Sequence, residues 1–299
     1  MQLDRTRITI RERGLFDILD LGLRVMYVYA GPLLAAAALG MGPLLLINMW
    51  LLSGSLPDPS LYDLNDWLDR EEYHSALFRY DYLLLLLTSW QIPLATAPIT
   101  LYLGTAVFED RPSFKSLWQT YWRMFPQFIW SRVVLRAVWL AIPMVVLLSD
   151  STAWYVLCLF LLPLPFFFRP YASEVILLER NPVSSRRPDT VTTTRRNRML
   201  HAHSGGDLFG RWIMGFTVSV VWVFALWFSI DWLIEQLTGD APESWYLHGW
   251  ILQSVIWFVV GYAAVVRFLC YLDLRIRREG WEVELRLRAE GNRLARQLM

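Results

Sequence analysis

Two stretches limit what this chain can fold into more than any other feature. YVYAGPLLAAAALGMGPLLLINMWLL, residues 27–52, carries no charge, and WIMGFTVSVVWVFALWFSIDWLI, residues 212–234, carries only Asp231. A run of ~20 largely apolar residues is long enough to cross the ~30 Å hydrocarbon core as a helix. Four more apolar segments follow the same pattern, and the six run approximately over 25–53, 82–108, 130–148, 153–168, 212–234 and 250–270. In lipid only a helix or a closed barrel satisfies every backbone group, and runs this continuous lack the alternation of a barrel strand.

The expectation is therefore an all-α polytopic membrane helix bundle. It has about six transmembrane helices and amphipathic cytoplasmic helices beside them. Residues 1–299 form one integral membrane domain: an N-terminal segment 1–24, a membrane region 25–270 and a tail 271–299. Composition agrees, with 55% hydrophobic and 18% charged residues, against about 25% charged in an ordinary soluble domain. Gly31-Pro32 and Gly42-Pro43 in the first segment, and Pro93 and Pro98 in the second, predict kinked or tilted helices. The third and fourth segments are short, joined by SDST, and form either two tilted spans or one hairpin that returns to the side it left. The first apolar run starts near Val25 behind a charged stretch and is too long for a signal h-region, so no cleavable signal is expected.

Charge sets the orientation. With the N-terminus inside, the cytoplasmic stretches 1–24, 109–136, 169–211 and 267–299 hold 26 of the 28 Lys and Arg residues, leaving only Arg70 and Arg79 outside. Twelve acids, Asp58, Asp66, Glu71 and Glu235 among them, lie on the outer side. This positive-inside bias places both termini in the cytoplasm and the chain in an inner (plasma) membrane.

The densest positive stretch is LERNPVSSRRPDTVTTTRRNRMLHAHSGGDLFGRW, with seven arginines between Leu178 and Trp212. The topology rule alone accounts for a basic loop here. Clusters of 4–8 Lys/Arg beside a membrane also attract anionic headgroups, at ~1 kcal/mol per residue. Arg186, Arg187, Arg195, Arg196 and Arg198, with Arg275, Arg277 and Arg278 in the tail, are the candidate contacts for anionic lipid or a protein partner.

In RPSFKSLWQTYWRMFPQFIW, a helix start at Ser113 is followed by Phe114, Leu117, Trp118, Tyr121, Trp122 and Phe125 at helical spacing. Such a helix either lies in the interface plane, with Trp118, Tyr121, Trp122 and Phe125 as anchors, or packs on the end of the bundle. The tail CYLDLRIRREGWEVELRLRAEGNRLARQLM predicts helix through Arg278, a break at Gly280 and a second short helix.

Chemistry is sparse. Asp81, Arg132, Arg136, Asp231 and Arg267 fall near segment ends, where snorkelling is easy, and this argues against ion pumps and proton-coupled transporters. Gln91, Gln253, Thr96 and Ser89 are the polar groups inside, read first as interhelical hydrogen bonds and second as a substrate path. Cys158 and Cys270 sit in or beside apolar segments and are read as small core- or lipid-facing residues. GxxxxGK[ST], GxSxG, HExxH and CxxC are absent from the sequence. His201, His203 and Asp207 lie close in HAHSGGD, but residues two apart on a helix diverge, so no metal and no cofactor is expected. The basic loop lacks stacking aromatics, so nucleic acid is not expected as a partner.

YASEVILLERNP after the fourth segment and YLDLRIRREGWEVEL after the last resemble the six-span membrane domain fused to some bacterial glycerophosphodiester phosphodiesterases, and its stand-alone relatives. Tyr271, Asp273, Arg275, Arg277, Glu279 and Gly280 fit the Tyr-x-Asp-x-Arg-x-Arg-x-Glu-Gly ending of that family's final span. The resemblance implies a six-helix membrane fold with a membrane-following turn after the fourth span. It implies no hydrolase, because these 299 residues hold no phosphodiesterase catalytic domain, and the loop 178–212 is richer in arginine than the family pattern.

The functional expectation is a non-enzymatic membrane scaffold or subunit that meets lipids and a protein partner through its basic cytoplasmic face. The alternative is a transporter or lipid-handling protein for an uncharged or amphipathic substrate, favoured by a cavity around Gln91, Pro93 and Gln253. A third class, a surface enzyme, would work through Glu174, Glu179, His201 and Asp207.

Overall fold

The computed structural model describes residues 14–63, 66–107, 114–134, 171–182, 191–201, 205–239 and 245–279. Arg186, Arg187, Cys158, His203, the apolar segment 153–168, most of 130–148 and the tail beyond Glu279 lie outside the described residues.

Among the described residues the chain is helical and contains no strand. The elements are α1 (Leu15–Val28), α2 (Ala30–Leu52), α3 (Trp67–Ala106), α4 (Phe114–Ile129, continued by a π turn Trp130–Val134), α5 (Ala172–Leu178), α6 (Thr193–His201), α7 (Gly205–Thr238) and α8 (Gln253–Glu279, preceded by a π turn Trp245–Leu252). Four helices are long and apolar enough to cross a membrane: Ala30–Leu52, Trp67–Ala106, Gly206–Thr238 and Tyr246–Arg278.

The centre of the bundle is α3 against α8. α2 packs along α3, α1 and α7 pack on α8, and α4 and α5 close one end of α3. The 40 residues of α3 extend about 60 Å at 1.5 Å per residue, twice the hydrocarbon thickness. Its first turns, which carry Asp69, Arg70, Glu71 and Glu72, therefore project beyond the apolar zone. This helix starts fifteen residues before the apolar segment because Asp66 caps it, accepting from the Leu68 amide at 3.3 Å.

Helix α1 also departs from the expected N-terminal segment. Ile18, Gly22 and Val25 recur at helical spacing and are buried, and a Cβ on Gly22 would sit 3.0 Å from Val266 of α8. The chain breaks at Tyr29 rather than at Gly31-Pro32, so α1 and α2 are separate helices. Gly40 of α2 lies so close to α3 that an added Cβ would overlap the Ala95 carbonyl oxygen, the close backbone approach that small residues permit in membrane bundles.

The outward faces of α2 and α7 expose Leu34, Trp50, Phe224, Phe228 and Trp232. Contiguous apolar surface of this extent is rare where water is the solvent, and hydrocarbon covers it at no cost. The tail reading of helix through Arg278 agrees with α8, which is helical through Glu279, and the expected break at Gly280 lies outside the described residues. Asp207 lies inside the first turn of α7, where a carboxylate meets the positive end of the helix dipole.

Candidate functional site

The end of the bundle opposite the projecting start of α3 gathers the arginines. The short helix α5, ASEVILL, is the wedge that organises them: Ala172 through Leu177 are all buried, and Glu174 in the middle is 0% exposed. Its Oε1 accepts from Arg267 Nε of α8 at 2.6 Å. Arg267 Nη2 donates in turn to Thr96 Oγ1 of α3 at 3.2 Å. Beside it, Ser173 Oγ accepts from Arg132 Nε at 3.3 Å. Arg267 therefore turns inward to a carboxylate rather than snorkelling to the surface, because a fully enclosed Glu174 without a cation would cost several kcal/mol.

α5 stops where Arg180 takes a left-handed backbone (φ 57°), the geometry that commonly ends a helix. Glu179, the residue before it, receives Arg196 in a two-pronged contact, Nε at 2.6 Å and Nη2 at 2.9 Å. The Tyr271 hydroxyl donates to the same carboxylate at 2.7 Å, and Asn181 Nδ2 donates at 3.0 Å. Arg275 pairs with it at 3.7 Å. The Asn181 carbonyl accepts from Gln127 Nε2 of α4 at 2.7 Å and from Thr193 Oγ1 of α6 at 3.0 Å. One loop thus joins α4, α5, α6 and α8.

A third carboxylate completes the set. Asp273 is buried and accepts from Arg211 Nη1 at 2.9 Å and Arg277 Nε at 3.0 Å. Both arginines also pair with Asp207, at 3.1 and 3.6 Å. These contacts fasten the start of α7 to the end of α8.

The candidate contact arginines therefore divide. Arg196, Arg275 and Arg277 point into the network, while Arg195, Arg198 and Arg278 are exposed. Helical spacing explains the split in α6, where Thr193, Asn197 and Leu200 are buried and Thr194, Arg195, Arg198 and Met199 face out. The aromatic residues of α4 divide as well. Trp118 and Trp122 are exposed, whereas Tyr121 packs against the core and Phe128 is part of it. Burial pushes the Tyr121 phenol up to about 12. Trp118, Tyr121, Trp122 and Phe125 form one ring cluster, with centroids 4.8–6.1 Å apart.

Of the residues considered for a surface enzyme, Glu174, Glu179 and Asp207 each pair with a different arginine, Arg267, Arg196 and Arg211. No group of three or more His, Cys, Asp or Glu suited to a metal occurs among the described residues. At the far end, His248 Nδ1 and Asp81 Oδ1 lie 3.0 Å apart, with the Trp227 ring edge-on to the imidazole. The pairings among Glu174, Glu179, Asp273 and their arginines run from four residues apart, Asp273 with Arg277, to 96 apart, Glu179 with Arg275. Only the four-residue Asp273–Arg277 spacing is a local signal.

These residues define an all-helical membrane protein whose arginine-rich end is closed by a buried carboxylate–arginine network. No protein-family model, no curated protein and no solved structure matches the chain.

Proposed function

We propose that this protein is a non-enzymatic membrane scaffold or assembly subunit, and that its arginine-rich end is the partner- and lipid-facing surface. The observation that carries this reading is the division within α6. Arg196 is spent on Glu179, while Arg195 and Arg198 on the opposite face have no ion pair among the described residues. A helix pinned from behind presents its outer charges in a fixed arrangement. That arrangement suits anionic headgroups or an acidic partner surface. The exposed Trp118 and Trp122 of α4 suit the headgroup zone beside it.

The finer topology belongs to the same proposal: six spans, with segments 130–148 and 153–168 supplying the two beyond the four long helices, both termini cytoplasmic, in a bacterial-type inner membrane. It is supported by the 26-to-2 division of basic residues. The likeness to the phosphodiesterase-associated membrane domain is part of this reading. Four of the residues that carry it, Tyr271, Asp273, Arg275 and Arg277, also bind α5 and α7 to α8.

Purification from native membranes in mild detergent tests the proposal, with mass spectrometry of co-eluting proteins and lipids. A stoichiometric partner or anionic lipid lost on Arg195→Gln/Arg198→Gln supports it. A lone protein unaffected by that change defeats it and favours the lipid-handling or transport alternative.

A further inference from the structure

A second polar cluster lies inside the membrane-spanning part of the bundle, away from the arginine network. Gln91 Nε2 of α3 donates to Asn48 Oδ1 of α2 at 2.7 Å, and Gln253 Nε2 of α8 donates to the Leu45 carbonyl of α2 at 3.2 Å. Leu45 and Asn48 are about one helical turn apart, so the two glutamines reach the same stretch of α2. Thr88 lies three residues before Gln91, on the same face of α3. All four side chains, Asn48, Thr88, Gln91 and Gln253, are more than nine-tenths buried.

After the two hydrogen bonds are made, Asn48 Nδ2, Thr88 Oγ1, Gln91 Oε1 and Gln253 Oε1 have no protein partner. A single orphaned buried polar group costs ~1–3 kcal/mol, so four in one region of an apolar bundle call for an occupant. The backbone adds to the demand. Pro93 has no N–H, which deprives the Ser89 carbonyl of its helical donor. α8 begins at Gln253 directly after the π turn Trp245–Leu252, and such irregular turns recur at functional sites.

The chemistry of the set selects the occupant. Asn48 offers N–H donors, Gln91 and Gln253 offer carbonyl acceptors, and Thr88 offers a hydroxyl that does either. A cation would face the amide donors and an anion the carbonyl oxygens. A neutral molecule that donates and accepts satisfies all four.

We propose that Asn48, Thr88, Gln91 and Gln253 form a binding site for a small neutral hydrogen-bonding solute, of which water is the smallest member. The site is independent of the scaffold reading, since it shares no residue with the arginine network.

Hydroxyl-radical footprinting of the full chain in lipid nanodiscs tests this, because radicals generated from enclosed water oxidise the side chains beside it. Met49 neighbours Asn48 and is the reporter, while the buried Met41 is the internal reference. Met49 is half-buried and Met41 buried, so the diagnostic quantity is the change in the Met49 rate between wild type and variants. In Thr88→Val/Gln91→Leu/Gln253→Leu that rate is expected to fall, with Met41 unchanged as the check on folding. Thr88→Val alone, nearly isosteric, serves if the triple variant does not fold, and it should show a smaller fall in the same direction. A Met49 rate that is unchanged in the folded variants overturns the proposal. Titrated urea or glycerol separates the sources: saturable protection of Met49 identifies an exchangeable organic solute, and labelling that persists identifies water. Both results uphold the site.

Discussion

Glu174 and Arg267 stand 93 residues apart in the chain and share a hydrogen bond of 2.6 Å, with the carboxylate wholly enclosed. Burying both ions costs solvation that their attraction only roughly returns, so the pair specifies where α5 docks more than it adds stability. Removing one partner is a different matter, because the other is left as an uncompensated buried charge. Arg267→Met is expected to destabilise the protein by about 3–5 kcal/mol in reversible unfolding from mixed micelles, and Glu174→Leu/Arg267→Met to recover most of that loss. A single variant as stable as the wild type would show that Glu174 does not depend on Arg267.

This pair also marks where sequence reading stopped. Hydropathy identified α2, α3, α7 and α8 because membrane insertion is written in consecutive residues, and helical spacing identified α4 for the same reason. Glu174 lies in a seven-residue helix too short for a periodic signal, and its cation arrives from another helix. Arg267, expected to snorkel, is drawn inward only because α5 brings a carboxylate to it. Arg211 and Asp273 repeat the lesson at a separation of 62 residues. The sequence groups Arg195, Arg196 and Arg198 as one basic set, and nothing local tells which of them meets Glu179. Helix α1 was legible in principle from Ile18, Gly22 and Val25, and was masked by the charges interleaved with them.

Gly40 provides a packing test. A Cβ there would overlap the Ala95 carbonyl oxygen, a backbone atom that cannot rotate aside, so α2 and α3 must separate. Gly40→Ala is expected to cost about 1–3 kcal/mol, as overpacking generally does. Gly42→Ala, with no heavy atom within 4 Å of its added Cβ, should be neutral within about 1 kcal/mol. Equal effects in a paired melting experiment would refute the close crossing.

Tyr121 offers a pH test. Burial raises its phenol from the usual 10 to about 12, which means the folded state favours the neutral form. The unfolded chain ionises first as pH rises. The stability associated with Tyr121 is therefore intact below about pH 10 and is lost between about pH 10 and 12. In the ultraviolet titration of tyrosinate, Tyr121→Phe should remove a step near the top of the alkaline range. Removal of a step near pH 10 instead would mean that the ring is solvated and that α4 does not pack on the bundle through it.

The two faces of α6 yield the sharpest separation between architecture and surface chemistry. Arg196 donates two hydrogen bonds to Glu179, so Arg196→Gln should lower the melting temperature, and by more than its neighbours do. Arg195 and Arg198 face outward and their side chains hold no ion pair among the described residues, so Arg195→Gln/Arg198→Gln should melt like the wild type. Surface attraction to anionic headgroups is worth ~1 kcal/mol per basic residue. The double variant should therefore lose about 30-fold in apparent affinity for soluble anionic lipid, at about 1.4 kcal/mol per tenfold. The loss should shrink as salt is raised, because a Debye length of ~8 Å at physiological ionic strength already screens exposed charge. If Arg196→Gln weakened lipid binding while the outward pair did not, the network itself would be the contact surface, and the proposed presentation of α6 would be wrong.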